Sequence, residues 1–180
     1  MADAVVVGQR MGATGLAAIS LILPVYMINC MVAHGLGLGG SVQFSTLLSS
    51  GQEAEAKRVF RATIWGALVC SLATAFLGNL FITKLLGLLG TTVKDGGLFH
   101  STRDYLEILL WATPLFYVSN ILNYFLRNDS NQKVAGIGSV TGNVCDILLN
   151  VFLVLGLNMG TRGAALSTAL GQLITIGIYV

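Results

Sequence analysis

From Met11 to Gln52 the chain contains no Lys, Arg, Asp or Glu, and that single stretch limits the possible folds more than any other feature. A helix crossing the hydrocarbon of a bilayer needs about 20 apolar residues, and this run is far longer. Three further uncharged runs follow, at 62–83, 108–126 and 163–180, and a fifth at 134–161 is broken only by Asp146. Lipid offers the backbone no hydrogen-bond partner, so such runs must become helices or the strands of a closed barrel. Barrel strands would alternate apolar and polar residues in segments of about ten. A run such as LAAISLILPVYMI does not alternate. The expected fold class is therefore an all-α membrane protein, a polytopic transmembrane helix bundle in a lipid bilayer.

Composition excludes the main competitors. Hydrophobic residues make up 54% and charged residues 10% of the chain, against about 25% charged in a soluble domain. The net charge of +2 and the lack of basic clusters interleaved with aromatics argue against nucleic acid as a partner. Cys30, Cys70 and Cys145 lie in apolar stretches without CxxC or metal-ligand spacing, so they are expected as small buried hydrophobes. No HExxH, GxSxG or paired-acid spacing supports membrane-embedded catalysis. No cofactor is implied.

The charge pattern predicts one transmembrane lobe with four complete spans and a partial helix at each end. The expected helices cover 1–9 (partial), 14–48, 59–83, 104–126, 134–157 and 163–180 (partial). Pro24 is expected to kink the second, where the run Gly35–Gly40 allows either close packing or a break. Lys57, Arg58, Arg61, Arg127 and Lys133 fall on one side of the membrane; Arg10, Lys84, Lys94, Arg103 and Arg162 fall on the other. The count is a tie, and only the crowding of the first set into two short connectors favours that side as cytoplasmic. With Met1 two residues before Asp3, the chain reads as a truncated gene or a fragment.

The polar residues inside the runs carry the candidate chemistry. GLGLGG at 35–40 lacks the strand and βαβ setting of a dinucleotide loop, so helix packing is its reading. Asn143, Asp146 and Asn150 are spaced i, i+3, i+7 on one face of an otherwise apolar helix. A carboxylate facing lipid is costly, so Asp146 is expected to face a bundle interior or a wet cavity. There it would either exchange H⁺ or Na⁺ or clamp helices through hydrogen bonds to the asparagines. Asp3 poses the same choice. Asn120 and Asn123, with Arg127 a turn beyond, either line a cavity or bond between helices. Asn29 and His34 are open to the same two readings.

Three segments together resemble the multidrug and toxic compound extrusion (MATE) transporters: ADAVVVGQRMGATGLAAISLILPV, GLGLGGSVQFSTLLSSGQEAEAKRVF, and LRNDSNQKVAGIGSVTGNVCDILLNVFLVLGLNMGTRGAALSTALGQ. The resemblance runs along essentially the whole chain and is to the amino-terminal lobe. It implies one lobe of a twelve-helix, two-lobed antiporter, with the carboxy-terminal lobe missing here. Such a protein would expel organic cations or amphipathic small molecules across the plasma membrane, such as a bacterial inner membrane, while H⁺ or Na⁺ enters.

The resemblance also assigns residues. Asp3 matches the acidic residue of helix one used for proton or cation coupling. In helix five the family often has Asn followed four positions later by Asp. This chain reverses the order, with Asp146 and then Asn150, which moves the carboxylate one turn along the same face. Thr168 matches a helix-six residue near that site. Asp3, Asp146, Asn150 and Thr168 thus form the expected coupling site, with Na⁺ possible at Asp3 and Asp146, and with Asn29, Asn120, Asn123 and Asn143 as cavity-lining candidates. Two alternatives stand beside this one: a lipid-linked oligosaccharide flippase of related architecture, whose cavity would be strongly cationic, and a non-transporting membrane scaffold.

Overall fold

The computed structural model describes residues 2–92, 95–128 and 131–180, with side chains from Val5 onward. Its elements are α1 (Ala2–Ser49), α2 (Glu53–Leu80), α3 (Ile82–Leu88), α4 (Gly97–Asn128), α5 (Gln132–Asn150), a π-helical turn (Val151–Gly156) and α6 (Gly160–Tyr179). Four stretches within them are long and apolar enough to cross a membrane: Val5–Ser49, Glu53–Leu80, Gly97–Asn128 and Gln132–Gly156.

α1 is two helical arms joined at Gly12, whose φ of 62° and ψ of −143° are open to glycine and hostile to a side chain. The break therefore falls at Gly12 and not in the Gly35–Gly40 run, which stays helical, as does the backbone around Pro24. In lipid a gap in the hydrogen-bond ladder is expensive, and packing neighbours hold the helix together across a proline. The later glycines serve contact instead. A Cβ on Gly37 would lie 2.7 Å from the Tyr124 ring, and one on Gly40 would meet Thr63 of α2.

The helices also start earlier than expected, at 53, 97, 132 and 160 instead of 59, 104, 134 and 163. Charge-free length marks the hydrocarbon, whereas a helix continues through the headgroup zone, where water serves its polar side chains. At the start of α2, Glu53 and Glu55 suit the positive end of the helix dipole, and Arg58 bonds Glu55 at 2.9 Å. Ser50 to Gln52 is all that remains of the connector, turning at Gly51 with φ of 78°.

On the opposite side, α2 stops at Phe81 and α3 packs Ile82 and Leu86 inward. In the loop that follows, the Thr92 backbone N–H donates to Asp95 at 2.6 Å. With the Thr92 hydroxyl, that bond holds the Asp95 carboxyl below the usual range. Lys94, one of the cations counted for orientation, lies outside the described residues.

α4 is the central post, packed against α1, α2 and α6. One core cluster joins Val7, Ile22, Leu86, Leu106, Val154 and Ala164; a second joins Ala33, Ala67, Tyr117, Ile121 and Phe125. The outer face of α2 presents Trp65, Val69, Leu72 and Phe76 outward. Such a stripe would drive aggregation in water and is ordinary against lipid. Cys70, expected to be buried, is exposed on α2, while Cys30 and Cys145 are half-buried; all three are free thiols.

Candidate functional site

The site begins with how closely α5 and α6 approach. On α5, Gly138, Gly142 and Asp146 recur every four residues and so share one face. On α6, Gly171, Thr175 and Tyr179 do the same and face them. A Cβ on Gly142 would meet the Thr175 side chain and lie 3.1 Å from the Gly171 carbonyl oxygen. One on Gly171 would be 2.8 Å from Asp146 Cβ, and one on Gly138 would strike the Tyr179 ring. Small residues at the contact let the backbones approach, as in small-xxx-small membrane pairs. The Thr175 hydroxyl remains satisfied by donating to the Gly171 carbonyl at 2.9 Å.

This seam sets the half-buried Asp146 against α6 and at the edge of a cavity of about 490 Å³ between α1, α4, α5 and α6. Ser20, Tyr26, Tyr105, Asn143, Asp146, Thr168 and Gln172 give it polar groups; Ile22, Leu23, Leu109 and Phe116 give it apolar ones. A second cavity of about 210 Å³ shares Tyr26, Phe116, Asn143 and Gln172 with the first and extends toward the side of the α4–α5 connector. Its remaining lining includes His34, Ser119, Asn120, Asn123, Ser139, Thr175 and Tyr179. The two form a polar lane along the bundle whose lining, among the described residues, has one carboxylate and no Lys or Arg.

Hydrogen bonds tie the three helices together at the far end of the lane. The Asn123 amide donates to Ser139 Oγ at 2.7 Å and to the Tyr179 hydroxyl at 2.6 Å. Ser139 and Tyr179 bond each other at 2.8 Å, so one asparagine links α4, α5 and α6. Nearby, His34 Nδ1 and the Tyr124 hydroxyl join α1 to α4 at 3.0 Å. Ser119 of α4 bonds Gln172 of α6 midway along the lane.

The residues singled out from sequence divide accordingly. Asp146, Asn143 and Thr168 share the larger cavity, where Thr168 also donates to the Ala164 carbonyl at 2.9 Å. Asn150 is fully buried one turn beyond Asp146, at the junction with the π turn, and is absent from the cavity wall. The Asp3 side chain lies outside the described residues. Asn120 and Asn123 line the second cavity; Asn120 bonds back to the Phe116 carbonyl at 2.7 Å. Asn29 bonds back to Val25 at 3.0 Å and borders a small apolar cleft with Leu110 and Tyr117, which adjoins the lane through Tyr26, Phe116 and Asn120 without placing Asn29 on its wall.

Tyr26, Ser119, Ser139, Gln172 and Tyr179 were not singled out from sequence. Gln172 could have been, because it lies one turn from Thr168 in the uncharged run 163–180. Carboxylate, amide and hydroxyl oxygens of this type are the donors a hard cation takes. Among the described residues no three His, Cys, Asp or Glu converge as a metal cluster.

Comparison with known proteins gives consistent likenesses. The MatE family model matches residues 1–152. The multidrug export protein MepA of Staphylococcus saprophyticus is 26% identical over 165 residues, covering 92% of this chain and 36% of its own length. The FAD transporter of Shewanella oneidensis is 26% identical over 182 residues, covering 99% of this chain and 39% of its own. The crystal structure of MATE in the bent conformation superposes with a TM-score of 0.92 at 25% identity, over 99% of this chain and 39% of that one. The chain thus spans about two fifths or less of the length of the relatives it matches.

Proposed function

Because the chain belongs to the MatE family, we propose that it supplies one lobe of a membrane transporter exporting organic cations in exchange for H⁺ or Na⁺. The observation that carries this reading is the lane itself: among the described residues, the carboxylate of Asp146 stands at a cavity of about 490 Å³ whose other lining is amide, hydroxyl, aromatic and aliphatic. Such a wall suits a cation with an apolar body. It does not suit a flavin dinucleotide or a lipid pyrophosphate, whose charge would call for Lys or Arg, and neither is among the described residues that line the lane. Coupling follows from competition. A carboxylate that holds H⁺ or Na⁺ no longer attracts a cationic drug, so each ligand weakens the other by the same factor. Repacking of the helices around the filled or emptied site would shift inward and outward populations.

Asn143 and Thr168 would orient the coupling ion beside Asp146, with Asp3 on the first arm of α1 as a second acid. Asn150 would support the π turn instead of touching the ion. The second lobe completes the path, in a multi-pass protein of a bacterial inner membrane.

The test supplies that lobe and follows efflux of a fluorescent organic cation from vesicles under an imposed pH or Na⁺ gradient. Asp146→Asn should lower coupled efflux at least tenfold with membrane insertion unchanged, and Asp146→Glu should recover part of it. If Asp146→Asn transports at the wild-type rate, the residue is a helix clamp and the scaffold reading gains.

A further inference from the structure

At the connector end of the bundle a different kind of space opens, outside the polar lane. A groove of about 310 Å³ runs between α1, α2 and α4, lined by Phe44, Phe60, Leu122, Phe125 and Leu126, with Lys57 at its rim and Tyr179 at its inner wall. Three rings form its floor: Phe60 and Phe125 lie 4.9 Å apart, Phe44 and Phe125 5.2 Å, and Phe44 and Phe60 6.4 Å. Phe44, Phe60 and Phe125 all fall within two turns of the helix ends at Ser49, Glu53 and Asn128. At 1.5 Å per residue that is within about 10 Å of the bundle's end, where headgroups meet acyl chains.

We propose that this groove binds one acyl chain of an anionic phospholipid, with the lipid phosphate held by Lys57 and Arg61. Charge complementarity selects that occupant. Arg58 is spent on Glu55 at 2.9 Å, whereas Lys57 and Arg61 are exposed, share a face four residues apart, and make no salt bridge among the described residues. The Arg61 Nε–H reaches the Lys57 carbonyl at 3.4 Å, which turns the Arg61 side chain back toward the Lys57 turn of α2 at the groove's rim. A wholly apolar floor beneath a cationic rim matches the amphipathic shape of a lipid and offers a free anion nothing below the rim. The site is separate from the lane, because Tyr179 and its bonds to Asn123 and Ser139 stand between them. It therefore holds whether or not the lobe exports cations.

Native mass spectrometry of the full chain in a neutral detergent tests the proposal. The protein is titrated with phosphatidylglycerol and with phosphatidylcholine of the same acyl chains. One phosphatidylglycerol should be retained at a concentration where phosphatidylcholine is not, with a preference of about fivefold for each cation engaged. Lys57→Gln should cut that preference about fivefold. Leu122→Trp, which fills the groove and keeps the charges, should remove the adduct of both lipids. If the tryptophan variant does not fold, Leu126→Phe carries the same expectation to a smaller degree. Equal retention of the two lipids overturns the proposal, as does full retention in the groove-filled variants. So does displacement of the adduct by inorganic phosphate alone, which would mark a free-anion site. A dimer that Leu122→Trp dissolves, with no lipid adduct, would give the groove to a second copy of the chain.

Discussion

The α5–α6 seam and the α1–α2–α4 seam hold the same lobe together in opposite ways. At the first, small residues bring two backbones together and polar groups fill what is left, so a carboxylate can sit inside the bundle. At the connector end of the second, beyond the close contacts of Gly37 and Gly40, three phenylalanine rings pack on one another and leave an apolar groove. In a bilayer, lipid tails are as apolar as Phe or Leu, so hydrophobicity gives helices little reason to prefer each other. What differs is how contact is made: at the α5–α6 seam a Cβ on either Gly142 or Gly171 would lie against the backbone of the other helix, whereas around the groove side chain meets side chain. The contrast predicts that the first seam tolerates almost no added volume, while the aromatic end of the second is forgiving.

The strongest attack on that contrast is Gly142→Leu. Its Cβ alone would be 3.1 Å from the Gly171 carbonyl oxygen, and backbone on α6 cannot swing aside as the end of a side chain can. Overpacking typically costs about 1–3 kcal/mol and occasionally more; this site should reach or exceed the upper figure, because Asp146 must move with α5. Gly136, on the same helix with nothing within 4 Å of its Cβ position, is the matched control and should change stability by about 0.5 kcal/mol or less. Unfolding in a dodecyl sulfate titration, read by loss of ellipticity, compares the two. Equal behaviour of the pair would remove the close-packed seam as an explanation.

Next in size is Asn123→Leu, which opens the tie among α4, α5 and α6. Interhelical hydrogen bonds in membranes average about 0.6 kcal/mol with a ceiling near 1.7. Asn123 makes two short ones, at 2.7 and 2.6 Å. A loss of about 1–2 kcal/mol is expected in the same titration. Ser139→Ala, which leaves the Asn123–Tyr179 bond in place, should lose less. A larger loss for the serine would mean that Asn123 is not the hub.

These two cases also show what could be read from sequence. The helical class, the four long spans and Asp146 stood out because each is an exception to a uniform apolar background. Asn123 was visible as a polar residue, but whether it faced a cavity or a neighbouring helix depended on Ser139 and Tyr179, which are distant in sequence and ordinary in type. Asn150 illustrates the converse. It keeps the face of Asp146, since the π turn begins only at Val151, but one turn further along that face it is fully buried and outside the cavity wall, and spacing does not say where along a face a cavity ends. Helix ends were misplaced for a physical reason as well, since charges such as Glu53 and Arg103 end the hydrocarbon span without ending the helix. The aromatic groove left no trace at all, because Phe44, Phe60 and Phe125 look like any lipid-facing phenylalanine until the chain brings them together.

That groove supplies the smallest effect and the sharpest check on the comparison. Phe60→Leu removes a ring 4.9 Å from Phe125 and 6.4 Å from Phe44. Aromatic pairs contribute about 0.5–1.5 kcal/mol beyond the area they bury, and a lipid-exposed groove should put the loss at the lower end. The deficit has a direction that can be tested. If an acyl chain occupies the space, phosphatidylglycerol should narrow the gap between Phe60→Leu and wild type, because the lipid tail takes the volume the ring gave up. The same lipid should do nothing for Gly142→Leu, whose fault is excess volume and not missing volume. A Phe60→Leu loss as large as that of Gly142→Leu would mean that the aromatic seam is as tightly specified as the glycine seam, and the two ways of holding the lobe together would be one.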